Sequence, residues 1–173
     1  MKVSGRKNLP RNKAFILASN HNSLIDPPLA AAALRNPLNF MAKKELFDIP
    51  LFGKFISKAN AFPVRRNASD KSSIKKAMKI LSSNKALLVF PEGGRRESGS
   101  AMKGVSFLAH KTSAFVVPAG MKNNYDLHRL RRLHVNIGEP LKFPLPPHTK
   151  ASAQEYEKFA SEILKKIYIL AKK

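Results

Sequence analysis

Cysteine and tryptophan are absent from this 173-residue chain, and acidic residues are scarce, 11 Asp and Glu against 32 Lys and Arg. Without cysteine there is no disulfide, no thiolate nucleophile and no Cys-based zinc site. No stretch approaches the roughly 20 apolar residues that a bilayer-spanning helix needs. The first eleven residues hold no apolar run of the kind a signal peptide requires. The shortage of acids leaves a formal net charge of +21. Such a chain is drawn to polyanions, whether nucleic acid, an anionic membrane surface or an acidic carrier protein. What is present is ordinary for a folded protein: 43% hydrophobic and 25% charged residues, in a length that suits one domain with its own core.

Apolar periodicity divides the chain into alternating strands and helices. Residues 1–12 are basic, contain Gly5 and Pro10, and read as a loose arm. Phe15 to Ala18 form a short apolar run bounded by polar residues, a buried strand that leads into Asn20-His21-Asn22-Ser23. Asp26-Pro27-Pro28 combines a capping residue with proline in the first turn and starts a helix that continues through Leu34. Strands are predicted over Leu38 to Ala42, Ala61 to Val64, Ala86 to Phe90, Phe115 to Pro118 and Leu133 to Ile137. Helices are predicted over Pro50 to Lys58, Asp70 to Ser83, Val105 to Lys111 and residues 152–173. The last carries a stripe of Tyr156, Phe159, Ala160, Ile163, Ile167 and Leu170. Pro91 to Lys103 reads as a Gly/Arg-rich loop, and Pro140 to Pro147 as irregular chain. Strands alternating with helices imply a single α/β domain over residues 1–173, with a mixed, mainly parallel sheet flanked by helices.

Four blocks carry chemistry. His21 and Asp26, five apart at a strand-to-helix turn, suit a general base whose tautomer is fixed by a carboxylate. The nucleophile would then be the substrate's own hydroxyl, consistent with the missing cysteine and the absence of a Gly-x-Ser-x-Gly elbow. Taken alone, the pair equally fits a loop histidine and a helix cap. Phe62-Pro63-Val64-Arg65-Arg66 offers guanidinium groups able to grip a phosphate, or simply two solvated cations. Phe90-Pro91-Glu92-Gly93-Gly94-Arg95-Arg96 follows the most apolar strand, where ligands of open α/β sheets sit. Its glycines permit close backbone approach, and the alternative is a plain surface turn. Val116-Val117-Pro118-Ala119-Gly120 is a strand running into a turn, or ordinary core.

In this order the blocks resemble those of the glycerolipid acyltransferases, typified by 1-acylglycerol-3-phosphate acyltransferases: Asn-His-x-Ser-x-x-Asp, Pro-Val-x-Arg, Phe-Pro-Glu-Gly-x-Arg and an apolar strand ending in proline. The likeness covers roughly residues 14 to 121 and includes Ala42-Lys43-Lys44-Glu45-Leu46-Phe47 with Ile49-Pro50-Leu51-Phe52-Gly53. It implies a glycerol-3-phosphate acyltransferase-like fold and transfer of a fatty acyl group from acyl-CoA or acyl-carrier protein to the free hydroxyl of 1-acylglycerol-3-phosphate, giving phosphatidic acid. His21 would deprotonate the hydroxyl and Asp26 would orient His21. Arg66, Glu92, Gly93 and Arg95 match the positions linked to glycerol-phosphate binding, and Arg65, Gly94 and Lys103 complete the candidate substrate-binding set. No metal or other cofactor is implied. This chain departs from the common pattern in carrying Arg65 before the second-block arginine, and Gly94 and Arg96 around Arg95, which adds charge near the acceptor site.

A lipid substrate requires a bilayer, so the chain is expected as a peripheral protein on the cytoplasmic face of a membrane. Candidate contacts are residues 2–13, Lys71, Lys75, Lys76 and Lys79, the Arg129-Arg131-Arg132 cluster, and the apolar Leu51, Phe52, Phe55 and Ile56. At least two of those four are expected in the core. Charge alone would also permit nucleic-acid binding, but no nucleic-acid motif or aromatic stacking platform is present. A non-catalytic lipid-binding relative and a different hydroxyl or amine acceptor are the remaining alternatives.

Overall fold

The computed structural model describes residues 2–21, 26–34, 36–65, 70–91, 100–122 and 134–172. Seven strands, β1 (Lys2–Ser4), β2 (Phe15–Ser19), β3 (Leu38–Lys43), β4 (Ala61–Val64), β5 (Ala86–Val89), β6 (Phe115–Lys122) and β7 (His134–Ile137), form one sheet in the order β1-β7-β6-β2-β5-β3-β4. Every pairing is parallel except β6 with β7. The mixed, mainly parallel sheet is therefore the architecture expected from the sequence.

Both faces of the sheet are covered, which is why β2 and β5 read as unbroken apolar runs. Alternate residues divide between two cores. Ile16 and Ala18 of β2 join Leu87 and Val89 of β5 under α3 (Lys71–Ser82), α4 (Ser100–Thr112) and α5 (Ala153–Lys172). Phe15 and Leu17, with Ala86 and Leu88, pack on Ala30, Ala33 and Leu34 of α1 (Asp26–Leu34). The α5 stripe predicted from the sequence buries Phe159, Ala160, Ile163 and Ile167. Its start is a capping box: Ser152 Oγ accepts from Glu155 N at 3.2 Å, while Ser152 N donates to Glu155 Oε2 at 2.7 Å.

Three expectations change. Residues 2–4 of the supposed arm are an edge strand paired with β7. The arm is pinned further by Arg6 Nε donating to Ala33 O at 2.8 Å and Asn8 Nδ2 donating to Ile137 O at 3.0 Å. Second, β6 runs through Pro118 to Lys122 instead of turning. Pro118 falls between the isolated Val116–Leu141 bridge and the ladder beginning at Ala119–Ile137, so its missing N–H interrupts little. Gly120 lies on this strand, and a Cβ there would stand 2.2 Å from Ala171 N, so glycine lets α5 lie directly on the sheet. Third, α4 begins at Ser100, which puts Lys103 on a helix.

Candidate active site

The parallel strands fix where the chemistry-bearing residues meet. β2, β5 and β4 all end on the same sheet edge, and His21, Phe90-Pro91 and Arg65 directly follow those ends. β2 is central. The chain leaves it through α1 on one face toward β3, and later passes through α4 on the other face from β5 to β6. The carboxyl end of β2 is thus the point where connections diverge, the usual crevice of an open α/β sheet.

His21 Nδ1 lies 2.9 Å from Asp26 Oδ2. The side chain of Asp26 is fully buried, whereas that of His21 keeps 15% of its surface exposed. A carboxylate in that position at the first residue of α1 is favoured by the helix dipole. Facing a carboxylate, Nδ1 carries the proton, which leaves Nε2 with the lone pair of a base. The imidazole also stacks on Phe90, with ring centroids 4.1 Å apart and planes 23° from parallel. The first and third sequence blocks therefore meet at one ring, held by a hydrogen bond to Asp26 along one edge and by Phe90 against its face.

Two supporting residues carried no role in the sequence reading. Asn20, buried where the backbone ladder of β2 and β6 runs out, continues that ladder with its side chain. Nδ2 donates to Met121 O at 2.9 Å, and Oδ1 accepts from Met121 N at 2.7 Å. This clamp fixes the backbone one residue before His21. A carboxamide between an apolar strand and the histidine is the signal that could have exposed it. Asp70, predicted only as the start of a helix, caps α3 by accepting from Ser72 N and Ser73 N, both at 3.1 Å. It also accepts from Arg65 N at 2.9 Å and so ties the residue after β4 to the start of α3. Hydrogen bonds from the Ser72 hydroxyl, the Arg65 amide and Ser73 hold its carboxyl far below the usual carboxylate range.

Arg65 is exposed and three strands from β2 across the sheet, roughly 14 Å at the backbone for a spacing of about 4.8 Å per strand. It shares an edge with His21 without touching it. Lys103 is engaged with Glu157 of α5, Nζ to Oε1 at 2.7 Å, so the ammonium has a structural partner. Arg66, Glu92, Gly93, Gly94 and Arg95 lie outside the described residues, as do Arg129, Arg131 and Arg132.

The chain as a whole also has counterparts among known proteins. The acyltransferase family profile, described as "Acyltransferase", matches residues 1–122. The chain belongs to the acyltransferase family. It is 34% identical over 146 residues to a 1-acyl-sn-glycerol-3-phosphate acyltransferase of Bacillus subtilis, an alignment covering 82% of this chain and 73% of that protein. It is 31% identical over 136 residues to the enzyme of the same name from Streptococcus pneumoniae, covering 76% of this chain and 51% of the relative. The crystal structure of the 1-acyl-sn-glycerophosphate (LPA) acyltransferase PlsC from Thermotoga maritima superposes with a TM-score of 0.71 at 28% identity, over 98% of this chain and 71% of that one. Among the described residues of this acyltransferase-family chain, no helix is long and apolar enough to cross a membrane.

Proposed function

We propose that the protein transfers a fatty acyl group from a thioester, acyl-CoA or acyl-carrier protein, to the free hydroxyl of 1-acylglycerol-3-phosphate at the surface of an anionic membrane. The observation that carries this reading is the His21–Asp26 pair at 2.9 Å, with a buried carboxylate and a partly exposed imidazole. Nε2 of His21 accepts the proton of the acceptor hydroxyl as the oxygen attacks the thioester carbonyl carbon. The resulting imidazolium is stabilised by Asp26. The C–S bond then breaks, and the departing sulfur takes the proton from Nε2, so His21 ends the cycle neutral. Phe90 keeps the ring from swinging away from the attack line. Arg65, with Arg66 and Arg95 from the same sequence blocks, supplies cations for the acceptor phosphate, and Glu92, Gly93 and Gly94 complete the binding set, with Lys103 paired instead to Glu157. The likeness to proteins named for this acceptor supports it over other lysolipids.

The decisive experiment offers 1-acylglycerol-3-phosphate and an acyl thioester in detergent micelles to the wild type and to His21→Ala. Removal of the base should lower kcat by at least about 10²–10⁴-fold while leaving the fold intact. A His21→Ala protein within a few-fold of wild type would sink the mechanism. A folded wild type that makes no phosphatidic acid would sink the acceptor.

A further inference from the structure

Six large apolar side chains are exposed among the described residues, and four of them, Ile49, Leu51, Phe52 and Phe55, fall within seven consecutive positions. The other two, Tyr168 and Ile169, are on α5. This corrects the expectation that at least two of Leu51, Phe52, Phe55 and Ile56 are core. Only Ile56 is buried, while Leu51 is 80% and Phe55 61% exposed. A cluster this concentrated marks an interaction surface and not the scattered apolar exposure of any soluble protein.

The backbone presents the cluster deliberately. Leu51 has φ 63° and ψ −46°, and Phe52 N donates to Pro50 O at 2.7 Å across it. That is a γ-turn of the rarer, strained hand, occupied by a side chain that disfavours positive φ. Gly53 locks the turn from below. Its amide donates to Ile49 O at 2.8 Å, and a Cβ there would stand 2.2 Å from Phe47 O. These two hydrogen bonds hold the strained apex in place, with Leu51 outward. Phe52 and Phe55, three apart at the start of α2 (Phe52–Lys58), extend the apolar surface along one side of the helix.

Location and charge select the occupant. The segment follows the carboxyl end of β3, on the edge that carries His21, and β3 is two strands from β2, roughly 10 Å. Residues 43–58 hold Lys43, Lys44, Lys54 and Lys58, all exposed, against Glu45 and Asp48. Lys43 is partnered by Glu45 at 3.7 Å, which leaves Lys44, Lys54 and Lys58 around the knob. A formal charge of +21 opposes close approach of a second copy and favours an anionic lipid surface.

We propose that Ile49–Phe55 inserts into an anionic bilayer beside the active-site edge, with Leu51 and Phe55 reaching the acyl-chain boundary and Lys44, Lys54 and Lys58 at headgroup level. The proposal deepens the lipid acyltransferase reading by naming the face that meets the membrane, and its test does not depend on catalysis. Because the chain has no tryptophan, Phe55→Trp and, separately, Tyr168→Trp each introduce a lone fluorophore. With phosphatidylglycerol/phosphatidylcholine vesicles carrying brominated acyl chains, the indole at position 55 should shift to the blue and be quenched, and the one at position 168 should not. The double variant Leu51→Ser/Phe55→Ser should lose about tenfold or more in vesicle partition while melting like the wild type. Several outcomes would overturn the proposal: an unquenched indole at 55 on vesicle-bound protein, quenching at 168 instead, unaltered partition of the double variant, or a concentration-dependent blue shift without vesicles, which would mean self-association. Normal insertion without acyl transfer in micelles would count against the reaction and leave the insertion face standing.

Discussion

Catalytic geometry in this fold rests on residues that never need to touch substrate. Asn20 is the clearest case: its carboxamide replaces one rung of the β2–β6 ladder and holds the backbone from which His21 projects. Asn20→Ala leaves the amide and carbonyl of Met121 without these partners in a buried place, a cost of about 1–3 kcal/mol for each unsatisfied group. It also frees the strand end to shift. A displacement near 1 Å at the base is enough to lower turnover by about 10²-fold. The expected result is a large fall in kcat, little change in KM, and a lower melting temperature. Asn20→Asp should not rescue activity, because a carboxylate would face the Met121 carbonyl. Steady-state kinetics with a matched thermal melt check this, and a variant whose KM alone changes would contradict the positioning role. The sequence made His21 and Asp26 legible because they are five residues apart and of the right types. The stacking of Phe90 on His21 depends on β5 lying beside β2, a long-range pairing that no local pattern carries.

Among the elements, α3 and α5 were readable almost to the residue, since each has a long apolar stripe and a side-chain cap. The strand β1 was not. Three residues with an exposed lysine have no periodicity to detect, and their partner, β7, lies near the other end of the chain. The surface of α2 was ambiguous for a deeper reason: apolar spacing is the same whether a helix faces a core or a bilayer, and only the folded context distinguishes them. The cap of α3 leads to a pH prediction. Asp70 has its carboxyl pulled well below the ordinary range by Ser72, the Arg65 amide and Ser73. A depressed folded value means that its stabilisation is fully present above the unfolded carboxylate value, near pH 4, and is lost as pH falls through the folded value. Glu155, lowered by its hydrogen bonds with Ser152, acts in the same direction. Asp70→Asn should therefore melt below the wild type at neutral pH, and the difference should narrow as the pH is taken below about 4. Thermal unfolding across that range decides it. A gap that widens on acidification would mean that the charge on Asp70 is not what stabilises the cap.

For the molecule as a whole, the surplus of cations sets stability against the membrane binding proposed above. With 32 basic and 11 acidic residues, most lysines and arginines have no carboxylate of their own to pair with. The Lys–Glu pairs among the described residues, Lys43–Glu45 and Lys103–Glu157, are exposed and so contribute little. Like-charge repulsion therefore opposes compaction, while on the proposed reading the same field would attract the protein to an anionic bilayer. Screening separates the two effects. Raising sodium chloride from about 10 mM to about 0.3 M shortens the Debye length from about 30 Å to well under 10 Å. The protein in solution should then melt at a higher temperature, by a few degrees for each kcal/mol of repulsion removed, while its partition onto phosphatidylglycerol vesicles weakens. Opposite signs for the two responses are the signature of charge maintained for binding at the expense of stability. A melting temperature that falls with salt would show instead that attractive pairing dominates the surface, and the basic surplus would then need a source of compensation within the fold.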